Sequence, residues 1–235
     1  MDSEDAGQHN SWRLHPVPGP VIRRPPARVG RKPMNEATDA ASLTDTRADR
    51  RRILHASLAL GERLGWDAVH LHAVAHEAGC SLRELLQLYP DKDALAEAWF
   101  DVADDALLRA AERPGWAGLS AERRLHDAIF AWLEALAPHR TLTAAMLGYK
   151  LQPEHLHLQA RGAVRVSRTV QAIREVALLA DTGWRRELSE AALSGIYLAT
   201  FACWLRDDTA GSKRTRELLE RLLRLFGAGA KLVAT

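Results

Sequence analysis

Residues 81–89 carry side chains whose types and spacing suit contacts with the edges of DNA bases. Arg83 and Gln87 lie one helical turn apart, so they share a helix face. In the major groove arginine pairs with guanine, glutamine pairs with adenine, and a carboxylate such as that of Glu84 can accept from cytosine. The sequence therefore predicts that Arg83, Glu84 and Gln87 contact bases.

A second set of residues could bind the DNA phosphates. Phosphate contacts fix the register of a reading helix and come from basic and hydroxyl side chains. Arginines cluster at the start of the first predicted helix of this region, and a hydroxyl group stands at each end of the short helix that would read the bases. The predicted phosphate contacts from these two sources are Arg47, Arg50, Arg51, Ser81 and Tyr89.

Short helices and a tight turn must position these side chains. Apolar residues recur at helical spacing from about residue 46 to residue 64, where Gly65 ends the first helix and Trp66 can fold back onto the core. Gly79 suits a turn that needs a positive φ. Ser81 and Glu84 have the spacing of a capping box, and Asp91 is an N-cap for the helix that follows Pro90. This order of helices is the arrangement that presents one helix to the major groove.

The stretch from Gly65 to Phe100 resembles the N-terminal domain of TetR-family transcriptional regulators. The residues that carry the resemblance are Gly65, Ala78, Gly79, Ser81, Tyr89, Pro90, Lys92, Asp93, Ala94 and Leu95. The resemblance implies an all-α protein with an N-terminal helix-turn-helix domain of three helices and a C-terminal helical domain for ligand binding and dimerisation. It implies a double-stranded DNA operator as partner, and it adds Lys92 to the phosphate contacts. Leu86 and Leu88 depart from the family, in which the recognition helix carries a tyrosine and a polar residue.

Composition divides the chain into three parts. Residues 1–45 hold six of the ten prolines between Pro16 and Pro33 and read as a disordered tail. Its segment IRRPPARVGRK is either an arm that touches DNA phosphates or a solvated tail, and the true start could be Met34. Residues 46–110 form the predicted helix-turn-helix domain, and residues 111–228 form the predicted C-terminal domain, with PGWAG as a linker between them.

The C-terminal part reads as helices only. The helix near residues 188–206 is rich in small residues and the last helix is rich in leucine, which predicts either a homodimer through these helices or a helix pair buried within one chain. A small apolar ligand is predicted to bind among aromatic and aliphatic side chains that are equally good core residues. These are Trp132, Leu136, Met146, Tyr149, Val170, Ile173 and Trp204.

The departures on the recognition helix leave a second interpretation open. A lipid-binding family of ubiquinone biosynthesis has a TetR-like fold with a degenerate helix-turn-helix, and its C-terminal motifs are similar to a set of residues in this chain. The set is Trp184, Arg185, Arg186, Tyr197, Thr200, Trp204 and Asp207.

Other chemistry has little support in the sequence. We find no nucleophile elbow, phosphate-binding glycine loop or HExxH motif, so we expect neither an enzyme nor a cofactor. His72 and His76 have metal-ligand spacing but lack further ligands, and His155 and His157 either line a pocket mouth or cap a helix. Cys80 and Cys203 lie in separate predicted helices, and no segment has the length and apolarity of a membrane helix or signal peptide, so we expect a cytoplasmic protein.

Overall fold

The structure, a computed structural model, describes residues 36–150 and 156–234, with side chains for residues 45–150 and 161–229. The basic arm, Met34, His155 and the side chain of His157 lie outside the described residues. The helices are α1 (Glu36–Leu64), α2 (Leu71–Ala78), α3 (Leu82–Leu88), α4 (Lys92–Ala111), α5 (Ala121–Leu136), α6 (Arg140–Lys150), α7 (Leu156–Val176), α8 (Gly183–Trp204) and α9 (Lys213–Ala234). The helix α1 thus begins well before the boundary predicted near Thr46.

Local signals fix the ends of α2, α3 and α4. The chain leaves α2 through Gly79, whose φ of 65° is left-handed and whose N–H bonds back to the last turn. Ser81 and Glu84 form a complete capping box at the start of α3. The carboxylate of Asp91 accepts a hydrogen bond from the backbone N–H of Ala94 at 2.7 Å and caps α4.

One hydrophobic core runs from α1 through the C-terminal helices. Trp66 folds back after α1 and is 2% exposed, as predicted. In the C-terminal helices, aromatic rings pack edge to face on Trp132, with Tyr197 and Phe201 both at 5.2 Å between ring centroids. The helix α4 follows directly on the helix-turn-helix, and because it packs against both α5 and α7 it is also part of this core.

Gly61 allows α1 and α6 to approach closely. A Cβ atom added at Gly61 would lie 2.7 Å from the Cδ1 atom of Leu142 on α6, so a larger residue could not be accommodated without movement. One residue further on, the carboxylate of Glu62 accepts a hydrogen bond from Nδ1 of His139 at 2.9 Å. The end of the first helix is therefore fixed against the C-terminal helices.

The PGWAG segment is not a free linker. Trp116 is buried, and its indole N–H donates to the carbonyl of Val176 at the end of α7 at 2.6 Å. Arg124 of α5 also donates to the carbonyl of Ala177, at 2.9 Å. The turn between α4 and α5 is therefore attached to the end of α7. The sequence could not reveal this attachment because the partners are far apart along the chain.

The turn between α8 and α9 is organised by Asp207. One carboxylate oxygen accepts from the backbone N–H of Thr209, and the other accepts from the backbone N–H of Thr215 at 2.7 Å. Although burial raises the pKa of Asp207, the hydrogen bonds from the two threonines outweigh it and hold the pKa well below its usual range. Asp207 thus has a structural role in joining the last two helices.

Candidate nucleic-acid interface

The exposed face of α3 carries Arg83, Leu86 and Gln87, while Leu85 on the opposite side is fully buried. Successive residues of an α-helix are about 100° apart, so these three side chains share one outward arc. Arg83 and Gln87 make no hydrogen bond or ion pair with other described residues. These two of the three predicted base-contacting residues are therefore open to solvent, as a direct readout requires.

Glu84 is placed differently from Arg83 and Gln87. Its carboxylate accepts hydrogen bonds from the backbone N–H and from the hydroxyl group of Ser81, both at 2.7 Å. These two bonds lower the pKa of Glu84, and Arg52 lowers it further. Ser81, a predicted phosphate contact, and Glu84, a predicted base contact, thus both have their side chains engaged in capping α3. A contact of either side chain with DNA would have to share or replace these bonds, and it stays a prediction.

The basic part of α1 lies beside α3. The hydroxyl group of Tyr89, just after α3, donates to the backbone carbonyl of Arg50 at 3.1 Å, and the Arg50 guanidinium lies 5.3 Å from the centroid of the Tyr89 ring. Burial raises the pKa of the Tyr89 hydroxyl group. Arg47, Arg50 and Arg51 are exposed. The structure therefore brings the predicted phosphate-binding arginines next to the predicted reading helix.

Lys92 is held by aromatic rings. Its ammonium group lies 4.6 Å from the ring centroid of Tyr149 and 5.4 Å from that of Trp66, and it donates to the carbonyl of Asp67 at 3.1 Å. Burial lowers the pKa of Lys92. The structure thus joins a predicted phosphate contact, Lys92, to a predicted ligand-pocket residue, Tyr149. This contact connects α6 with the start of α4.

The other six predicted ligand-pocket residues lie in the core. Trp132, Leu136, Met146, Val170, Ile173 and Trp204 are all at most 1% exposed. Three clefts of about 490 to 580 Å³ in the described part of the chain are lined by other residues. The side chains therefore fill the space between the helices, and a pocket among them stays a prediction.

The sequence interpretation did not include a cluster of charged residues between α4 and α7, which we call the α4–α7 ion-pair cluster. Its members are Asp93, Glu97, Asp101 and Asp104 on α4, and Arg161, Arg165 and Arg168 on α7. Arg165 is 8% exposed and bonds to three of the carboxylates at 2.7 to 2.8 Å. The recurrence of like charges every three or four residues on each helix was the available signal.

Comparison with solved structures decides the family. A crystal structure of a TetR transcriptional regulator from Nitrosomonas europaea ATCC 19718 is 39% identical to this chain, with a TM-score of 0.67. It covers 76% of this chain, and 97% of its own length is matched. The chain belongs to the TetR family of transcriptional regulators. Membership confirms the predicted all-α, TetR-like fold and the prediction of a DNA-binding transcriptional regulator.

Two other TetR-family structures share the fold at lower identity. The secondary repressor NalD of the MexAB-OprM multidrug efflux pump in Pseudomonas aeruginosa is 20% identical with a TM-score of 0.53, over 76% of this chain and 96% of its own. FadR from Thermus thermophilus, crystallised with lauroyl-CoA, is 21% identical with a TM-score of 0.51, over 75% of this chain and 92% of its own. No model of a protein family matches the chain, and no curated protein matches it.

The comparisons do not favour the lipid-binding alternative. Tyr197, Thr200, Trp204 and Asp207, which suggested it, are buried. In the described ranges, no helix is long and apolar enough to cross a membrane, and no group of three histidine, cysteine or acidic residues is arranged to hold a metal ion. His72 stacks on His70 with 5.5 Å between ring centroids.

Proposed function

We propose that this TetR-family protein regulates transcription as a homodimer that reads a palindromic operator with one helix α3 per half-site. The observation that carries the proposal is the exposed pair Arg83 and Gln87 on α3, with the basic part of α1 alongside. Arg83 would contact guanine and Gln87 adenine. Arg47, Arg50 and Arg51 would contact phosphates, together with the N-terminal end of α4, where Lys92 stands.

The proposal is tested by selecting binding sites from a randomised DNA duplex with the full-length protein. We expect a two-fold symmetric site whose half-sites lie about one turn of DNA apart. Affinity for the selected site should exceed that for random duplex by about 10³-fold or more at moderate salt, and both affinities should fall as salt rises. Failure to enrich any sequence would contradict a role in reading an operator.

Dimerisation is proposed through α8 and α9. From Leu188 onward the exposed residues of α8 recur every three or four positions, and most are small: Leu188, Ala191, Ala192, Gly195, Leu198, Ala199 and Ala202. On α9, Leu225 is 70% exposed. Small residues let two helices approach closely, and a continuous apolar face of this kind is better covered than exposed. A second copy of the chain would cover it and would place two α3 helices on one face of the DNA.

Gly195→Arg is expected to convert the dimer to a monomer. A side chain added at Gly195 meets no atom of its own protomer within 4 Å, so the protomer should fold, while the arginine would separate two closely packed α8 helices. Sedimentation equilibrium measures the change. Gly148→Arg on α6, where an added side chain also meets open space, is the matched control and should stay dimeric. If the Gly195→Arg variant formed dimers with the dissociation constant of the wild-type protein, the interface would have to lie elsewhere.

Control by a small apolar ligand completes the proposed mechanism. Trp132, Leu136, Met146, Val170, Ile173 and Trp204 would line the site in a conformer whose aromatic core has opened, with Tyr149 at its edge. A ligand that binds this conformer more tightly would shift the population towards it. The neighbour FadR was crystallised with lauroyl-CoA. The helix α4 would transmit the shift, since it contacts α7 and, through Lys92, the turn between α1 and α2.

A further inference from the structure

The helix α3 exposes two leucines beside its polar reading residues. Leu82 is 42% exposed and Leu86 is 40% exposed. They are four residues apart, so their side chains are neighbours on the helix surface. A single exposed leucine is ordinary in a folded protein. Here, however, two of them lie on a helix of seven residues, together with the exposed residues Arg83 and Gln87 and the capping residue Glu84.

Helix geometry places Leu86 within the reading face. With about 100° per residue, Leu86 is turned about 40° from Leu82, and Arg83 and Gln87 follow at about 100° and 140°. Leu86 therefore lies between Leu82 and Arg83 on one continuous arc. If α3 enters the major groove through Arg83 and Gln87, then Leu86 must also face the base edges.

The major groove offers one apolar group, the C5-methyl group of thymine. Opposite any other base edge, a leucine would cover a donor or acceptor without replacing its hydrogen bond to water, which costs binding free energy. We propose that Leu86, with Leu82 beside it, reads the methyl group of a thymine next to the bases that Arg83 and Gln87 contact. This inference rests on the proposed function, because it requires α3 to lie in the major groove.

Replacing thymine by uracil removes only this methyl group. In the duplex selected with the full-length protein, each thymine of the half-site is replaced in turn by deoxyuridine, and dissociation constants are measured. At the thymine that Leu86 contacts, we expect the affinity of the protein for the duplex to fall about fourfold. This is the loss expected when one methyl group is removed from an apolar contact. The other substitutions should leave the affinity unchanged.

Leu86→Ala assigns the effect to the side chain. Alanine favours helix at this exposed position, so α3 should persist. The variant should bind the thymine and uracil duplexes equally well. Leu108→Ala, at an exposed leucine of α4, is the matched control and should keep the difference.

The outcomes separate this inference from the proposed function. The thymine assignment would be overturned if no uracil substitution lowered the affinity for the selected site. It would also be overturned if the Leu86→Ala variant still bound the thymine duplex more tightly than the uracil duplex. Either result would leave DNA reading intact. Failure of the wild-type protein to select any sequence would overturn both.

Discussion

Replacing Arg165 by methionine is expected to lower the free energy of unfolding by about 3 kcal/mol, because it removes the buried cation that three carboxylates of α4 share. The Arg165 side chain is 8% exposed and bonds to Glu97 at 2.7 Å, Asp101 at 2.8 Å and Asp104 at 2.7 Å. Although burial lowers the pKa of Arg165, these carboxylates outweigh it and raise the pKa. Methionine fills similar space without the charge.

Arg168→Met is the matched control for this prediction. Arg168 belongs to the same α4–α7 ion-pair cluster and lies 2.9 Å from Asp101, but its side chain is 61% exposed. Exposed pairs are worth little, so its loss should cost less than about 1 kcal/mol. Urea denaturation at pH 7 measures both variants. If both variants lost a similar free energy of unfolding, the burial of Arg165 would not determine its contribution to stability.

The α4–α7 ion-pair cluster also bears on the proposed switch. Ion pairs have a defined geometry, so they favour one register of α4 against α7 over others. Glu97 takes part twice, since it also pairs with Lys150 of α6. A ligand that moved α7 or α6 would therefore act directly on α4 and on the DNA-reading unit that precedes it.

The local features of the fold were predictable from the sequence. Ser81 and Asp91 were each expected to cap a helix, and the side chain of each accepts the predicted backbone hydrogen bond. Gly79 has the expected positive φ. Capping and turn chemistry involve residues within four positions of one another, so the printed sequence contains the whole interaction.

Contacts between distant segments could not be predicted in this way. Trp116 was assigned to a linker, yet it bonds to Val176, and Tyr89 bonds to Arg50. Apolar periodicity showed that Trp132 and Trp204 face inward, but the same pattern describes a filled core and a ligand pocket. For Glu84 the sequence predicted both a capping role and a base contact, and the structure places the carboxylate in the cap.

Replacing Arg83 and Gln87 together by alanine is expected to remove most of the sequence preference while leaving general DNA binding. A bidentate contact to a base is worth about 1–3 kcal/mol of discrimination, so losing two should reduce the affinity for the selected site by about 10²-fold or more. Neither residue has a partner among the described residues, and both are exposed, so the fold should be unaffected. Fluorescence anisotropy with selected and random duplexes over a salt series gives both quantities.

Arg51→Ala provides the contrasting control, because a phosphate contact should behave in the opposite way. Its loss should weaken binding to selected and random duplexes alike and reduce the slope of log affinity against log salt by about 1, whereas the double variant should keep the wild-type slope. If the double variant kept the wild-type preference for the selected duplex, base reading would have to come from other residues. Since Glu84 is held in its capping box, the remaining side chains on the exposed arc of α3 would be Leu82 and Leu86. Reading by these two alone would be restricted to thymine methyl groups, and the selected site would then lack a guanine requirement.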